Sequence, residues 1–348
     1  MTMKRRSTFG VVILIWAGLA SGALPSAEDA SAPQLFRAKR WKEASDAFAE
    51  IEKAQPGKTD ALLYRGKALV NLRQFPQAGD ALREYLASHP KSDDAAYLLA
   101  YVLFCEDQPN ESLKLYAEAS KLKPPAADDL KIVALNYVLL KDYTSASRQL
   151  EEAIRLEPGN SEARYHLGRV RYQQNEFDQA IAAFREVLKH DPTNVKAEDN
   201  LGLSLEGKGQ VEDAVLAYRR AIRLDRASLL RTEQPYLDLG ILLGKRNQST
   251  EAVTLLEEAL QIAPNSQPAH RELGKTCFSL NRIEDAQREA ERATQLDPQD
   301  ASAHYLLGRI YHRLGKSDLA AQQFHETEEL FRVQRSKTGG MGMGGRPD

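Results

Sequence analysis

The sequence predicts an all-α chain built as a solenoid of stacked antiparallel helix pairs. Three observations carry that prediction. The first is a residue skeleton that returns every 34 positions, clearest in the stretch from Ser161 to Asn194. A fixed period of this length marks stacked supersecondary units, each touching mainly its neighbours. The second is a pair of apolar patterns inside each period. Tyr165, Gly168 and Tyr172 recur at spacings of three and four, and so do Ala180, Phe184 and Val187. That is the face of a helix, not the alternation of a strand. The third is punctuation: Pro90, Pro124, Pro158, Pro192, Pro264 and Pro298 close successive periods. The residue before a proline is pushed out of the α region, so each marks a helix end.

The elements follow in order. Lys4-Arg5-Arg6, an apolar run from Phe9 to Ala20 and small residues through Ala23 have the layout of a secretory leader, residues 1–23. The run is shorter than the ~20 residues a spanning helix needs, so an uncleaved anchor is the alternative. Residues 24–58 open with a Pro/Ala/Ser-rich linker. They continue as a degenerate repeat or cap in which Ala44, Phe48 and Ile51 share a stripe. Eight repeats then begin at Thr59, Asp93, Ala127, Ser161, Val195, Glu233, Gln267 and Ala301, and end near residue 334. Between the fifth and sixth the register slips by four residues, through Leu229-Leu230-Arg231-Thr232. Residues 335–348, glycine-rich and without apolar period, read as a disordered tail.

One position within the first helix of each pair is small: Gly66, Ala100, Ala134, Gly168, Gly202, Gly240, Gly274 and Gly308. Glycine there costs roughly 0.5–1 kcal/mol against alanine. Its recurrence predicts a close crossing of the two helices of a pair. Ala78, Ala146, Ala180, Ala214, Ala252, Ala286 and Ala320 mark the expected contact on the second helix.

Composition bounds the function. The chain has 348 residues, 47 basic against 49 acidic. Without the leader the balance is 44 to 49, with no basic excess to suggest nucleic acid. Cys105 and Cys277 lie 172 residues apart. Units that touch only their neighbours keep them apart, so both are expected as small buried hydrophobes rather than a disulfide.

These residues resemble the tetratricopeptide repeat: a leucine-glycine pair as in Leu167-Gly168, then Tyr172, Ala180, Phe184 and Pro192, over 34 residues. The resemblance covers about residues 25–334. It departs at the tryptophan position, filled here by Leu62, Ala96, Leu130, Arg164, Glu198, Tyr236, His270 and His304. It implies a right-handed superhelix whose first helices line a concave groove, no catalytic activity, and a protein or peptide partner in the groove. Family groove positions fall on Tyr97, Tyr101 and Phe104; on Lys131, Leu135 and Val138; and on Tyr165, Arg169 and Tyr172. Towards the C-terminus they turn basic at Arg271, Lys275 and Arg309, followed by His312 and Arg313. That end would take an acidic segment or a C-terminal carboxylate, or is a solvated helix face. Arg169, Asn200 and Lys196 match part of the family's carboxylate clamp, but Gln234 and Asp238 stand where a basic pair would complete it.

No motif of hydrolytic, phosphate-binding or redox chemistry occurs, so the expectation is a non-enzyme without cofactor or metal. His166, His304 and His312 are expected as surface or groove polar residues. The tail residues Met341 and Met343 are read without a ligand role. The functional expectation is an exported scaffold binding a protein or peptide in the cell envelope. It would bind no nucleic acid, and would meet the membrane only through an uncleaved leader. Self-association through the C-terminal end is possible. The alternatives are a structural subunit of an envelope secretion, pilus or outer-membrane assembly machine, and a polysaccharide-associated accessory protein.

Overall fold

A computed structural model describes residues 31–57 and 60–339, with side chains through residue 336. The leader, the expected repeat start at Thr59, and Met341 and Met343 lie outside the described residues. Among those described, every regular element is a helix. They form two compact units, divided between Leu156 and Glu157.

The first unit runs α1 (Ala32–Arg37), α2 (Trp41–Ala54), α3 (Ala61–Asn71), α4 (Phe75–Ser88), α5 (Asp93–Cys105), α6 (Pro109–Leu122), α7 (Ala127–Leu139) and α8 (Tyr143–Leu156). The second runs α9 (Ser161–Gln173), α10 (Phe177–His190), α11 (Val195–Gly207), α12 (Val211–Arg226), α13 (Gln234–Lys245), α14 (Ser249–Ile262), α15 (Gln267–Ser279), α16 (Ile283–Leu296), α17 (Ala301–Arg313) and α18 (Ser317–Gly339). Within each unit every helix packs on the next in the chain. First helices of adjacent pairs also touch, as α5 touches α7 and α15 touches α17. Second helices form no comparable contact with the next second helix among the described residues. The odd-numbered helices therefore form a continuous face of their own in each unit.

The predicted close crossing is real, with a different partner. A Cβ on Gly168 would fall 2.8 Å from the Phe184 ring, and one on Gly202 2.7 Å from the Tyr218 ring. What fills the space is thus the large residue four after the recurring alanine, while the alanines themselves are buried. In the α15–α16 pair the residue at that position is the small Ala290. The backbones close up instead, and a Cβ on Gly274 would sit 3.2 Å from Ala286 O and Ala290 N. Ser112 stands at the alanine position in α6. Its hydroxyl donates to Ala100 O at 2.7 Å, which satisfies it in the core.

Each hairpin turns through a residue with positive φ at one fixed position. These are Lys39, Arg73, Asp107 and Lys141 in the first unit and Asn175, Gly209, Asn247, Asn281 and Gly315 in the second. The turn closes the helix C-terminus with paired bonds, as in Arg73 N to Val70 O and Gln74 N to Leu69 O. Lys39 keeps this position, so the degenerate first hairpin, with only six residues in α1, turns like the others. Asn160 and Asn194 cap the following helices by accepting from Ala163 N and Ala197 N. Ser266 occupies the same place without a side-chain cap bond.

One boundary differs from expectation. Helix α18 continues through Gly339, so residues 335–339 are helical rather than tail. At the register slip, α12 is 16 residues long and ends without a proline.

Candidate functional site: the first-helix faces

In the first unit half of the expected face turns inward. Leu135 is 2% exposed and packs with Tyr116 and Ile132. Tyr97 is buried with its hydroxyl donating to Lys123 O at 2.7 Å, and burial pushes that phenol up to about 12. Lys131 is 3% exposed and reaches Asp128 at 2.8 Å. Leu135 packs against the preceding repeat, Tyr97 is bonded within its own and Lys131 lies buried along α7, which corrects the expectation that they line a groove. Tyr101 and Phe104 stay half-buried, their ring centroids 6.4 Å apart, with Phe75 edge-on to Tyr101 at the same distance. Val138 is half-buried and Leu139 exposed. What the first unit shows to solvent here is aromatic and aliphatic.

In the second unit more of the expected residues reach the surface. Tyr165 packs edge-on against Phe184 at 5.8 Å, Arg169 lies over its ring at 5.9 Å, and Asn200 donates to its hydroxyl at 3.3 Å. Burial raises the Tyr165 phenol. Tyr172 is half-buried against Phe177. The carboxylate clamp stays incomplete, because Gln234 and Asp238 hold the positions a basic pair would take, Gln234 donating to Asp238 at 2.8 Å.

Arg271 corrects the expectation of a basic end. Its guanidinium donates to Asp300 at 2.5 Å and to Glu272 at 3.1 and 3.2 Å, with 17% of the side chain exposed. Gln267 adds a bond to Asp300 at 2.6 Å. Burial alone would raise the Asp300 carboxyl, but Arg271 and Gln267 hold it below the usual carboxylate range. Arg271 is a neutralised strut between α15 and α17. Lys275 is exposed and meets only Glu272 on its own helix, at 3.1 Å. Arg309 is exposed and lies over two rings, Phe278 at 5.1 Å and Tyr305 at 6.0 Å. No carboxylate pairs with it among the described residues.

The histidines divide. His312 is exposed as expected, but His166 and His304 are buried. At the family's tryptophan position, His304 bridges Gln323 Oε1 at 2.7 Å and Pro298 O at 3.2 Å. His270 likewise bridges Glu289 at 2.7 Å and Pro264 O at 3.0 Å, and Arg164 donates to Pro158 O at 2.8 Å. A polar residue there ties the preceding proline turn to the hairpin. The signal was the polar character of Arg164, His270 and His304 at a position the family fills with a ring.

A cavity of about 430 Å³ among α14, α15 and α16 is lined by His270, Glu289, Arg288 and Cys277. It does not assemble an activated thiolate. The second nitrogen of His270 is committed to Pro264 O, and burial pushes the Cys277 thiol up to about 11. Both cysteines are free thiols; Cys105 is half-exposed, not buried. No three His, Cys, Asp or Glu side chains gather as a metal site among the described residues. No described helix is long and apolar enough to cross a membrane.

Comparison with known proteins agrees with this architecture. Sequence profiles of the tetratricopeptide repeat match residues 30–92 and 65–127, 137–198 and 245–310, and 199–228 and 301–325. Among solved structures, the Cut9–Hcn1 assembly of the APC/C is similar with a TM-score of 0.58 at 15% identity, covering 80% of this chain and 54% of that one. Yeast Tom70 is similar at 0.56 and 17% identity, over 87% of this chain and 61% of that one. PilW, a type IV pilus biogenesis factor, is similar at 0.51 and 22%, over 60% and 92%. Cellulose synthase operon protein C of Pseudomonas fluorescens (strain SBW25) is 29% identical over 154 residues, which are 42% of this chain but 12% of that protein. With the repeat profiles falling on both units, the chain belongs to the tetratricopeptide repeat family.

Proposed function

We propose that the chain is a non-enzymatic scaffold that holds a protein or peptide partner on its first-helix faces. The observation that carries this reading is Arg309, an exposed guanidinium over Phe278 and Tyr305 with no carboxylate of its own. An arginine lying on rings keeps its in-plane donors for a third group, while the rings offer apolar area beside it. Aromatic residues and arginine are the types that anchor interfaces. On α9, Arg169 also lies over a ring, that of Tyr165. The basic-apolar-small order of residues 4–23 supports export as the setting.

The test is capture from native extract by the whole chain and by an Arg169→Ala/Arg309→Gln variant of unchanged helicity. A partner retained by the first and lost by the second supports the reading; equal capture by both overturns it. A second reading, an accessory of a polysaccharide-producing machine, draws on the similarity to the cellulose synthase operon protein. Retention of the chain by soluble cellulose oligomers, undiminished by competing peptides, would favour it over the first.

A further inference from the structure

With Arg271 neutralised, the charge left on the last two first helices is one-sided. Helix α17 contains no acid, and Glu272 is the one acid on α15. Glu272 is shared between Arg271 and Lys275, and Asp300, at the α17 cap, is held by Arg271. On the neighbouring α13 the one acid, Asp238, is buried and accepts from Gln234. Two exposed arginines are left over among the described residues. Arg309 has rings beneath it, and Arg313 donates to the neutral Asn281 Oδ1 at 3.3 Å. Both reach towards the C-terminal end of α15, where Lys275 stands one turn before Phe278.

Their spacing says what they fit. Tyr305, Arg309 and Arg313 follow one another at four-residue intervals, about 6 Å each along a helix. Side chains on one side of an extended chain repeat about every 6.6 Å. An extended segment laid along α17 therefore sets three same-side residues over these three positions. Tyr305, 51% exposed, suits an apolar side chain, and the two arginines suit carboxylates. Arg309 covers a face of both Phe278 and Tyr305, so the rings offer mainly their edges. Edges suit an aliphatic side chain better than the stacking face of a sugar.

We propose that the last two repeats bind an extended acidic protein segment of the pattern apolar-x-acid-x-acid. It lies along α17 with its carboxylates on Arg309 and Arg313, and Lys275 adds to the positive field. This rests on the first-helix face being the binding surface, and adds the partner's charge and spacing.

The test uses the full chain with isotope-labelled arginine side chains, and the peptide Leu-Ser-Glu-Ser-Glu blocked at both ends. Titration should shift the Nε signals of Arg309 and Arg313, and high salt should weaken the binding. Glutamine in place of both glutamates should abolish it, and serine in place of the leucine should weaken it severalfold. Arg309→Gln and Arg313→Gln, at exposed positions, should each weaken it about three- to tenfold. Arg332→Gln removes the same charge from α18, where Glu329 pairs with it, and should leave binding unchanged. No shift at either arginine up to millimolar peptide, equal binding of the glutamine peptide, or an equal loss with Arg332→Gln each overturns the proposal. Tighter binding of a polyuronate oligomer of the same charge overturns it as well. If the acidic peptide fails while capture from extract still depends on Arg309, the acidic pattern falls and the scaffold reading stands.

Discussion

The first-helix faces of the two units carry the same family positions and use them differently. In the first unit Tyr97, Lys131 and Leu135 are absorbed into the stack, and what remains outside is Tyr101, Phe104 and Val138. In the second unit Arg271 is absorbed, while Arg169 and Arg309 lie over rings and Lys275 stays exposed beside Glu272. A groove position is therefore not a role. Whether a side chain serves the stack or a partner depends on whether a neighbouring helix end or turn supplies it with a bond: Lys123 O for Tyr97, Asp300 for Arg271.

That contrast can be broken by substitution. The largest effect belongs to Leu135→Ala, which should cost about 2–5 kcal/mol in chemical unfolding of the first unit, since it empties a buried site. Next is Arg271→Ala, which leaves the largely buried Asp300 without its cation and should cost about 2 kcal/mol or more. The same pair sets a pH dependence. The Asp300 carboxyl titrates lower folded than unfolded, so its contribution is fully present above the unfolded value of about 3.9 and is lost as pH falls through the lower folded one. Glu289 acts in the same direction. Burial would raise its carboxyl, but bonds from His270 and Arg288 hold it below the usual range. Acid unfolding followed with wild type and Arg271→Ala should show the gap between them closing below about pH 4. The smallest effect on stability is Arg309→Gln, within about 1 kcal/mol by thermal unfolding, with partner capture lost all the same.

The sequence carried the fold in detail because its punctuation is physical. Proline ends, the small crossing position and period-three-and-four stripes each have one structural solution, and the hairpins follow them from α3 to α18. The site was harder to read. Nothing in the spacing says that Arg271 meets Asp300, 29 residues on, while Arg309 meets only rings. The left-handed turn position is marked in the second unit by Asn175, Gly209, Asn247, Asn281 and Gly315, and is hidden in the first. Arg73, Asp107 and Lys141 occupy it where glycine or asparagine would have announced it. At the slip, the residues that mattered most were Asp225 and Tyr236 on either side of it, whose pairing replaces the missing proline.

The central claim is that partners bind the first-helix face of the second unit. Site-specific photo-crosslinking tests it most directly, with a photoreactive phenylalanine at Lys275 or His312, and at Leu216 or Arg223 on the second helix α12 as controls. The account predicts one partner band from the first-helix positions and none of that size from the controls. The same band from α12 alone would contradict it.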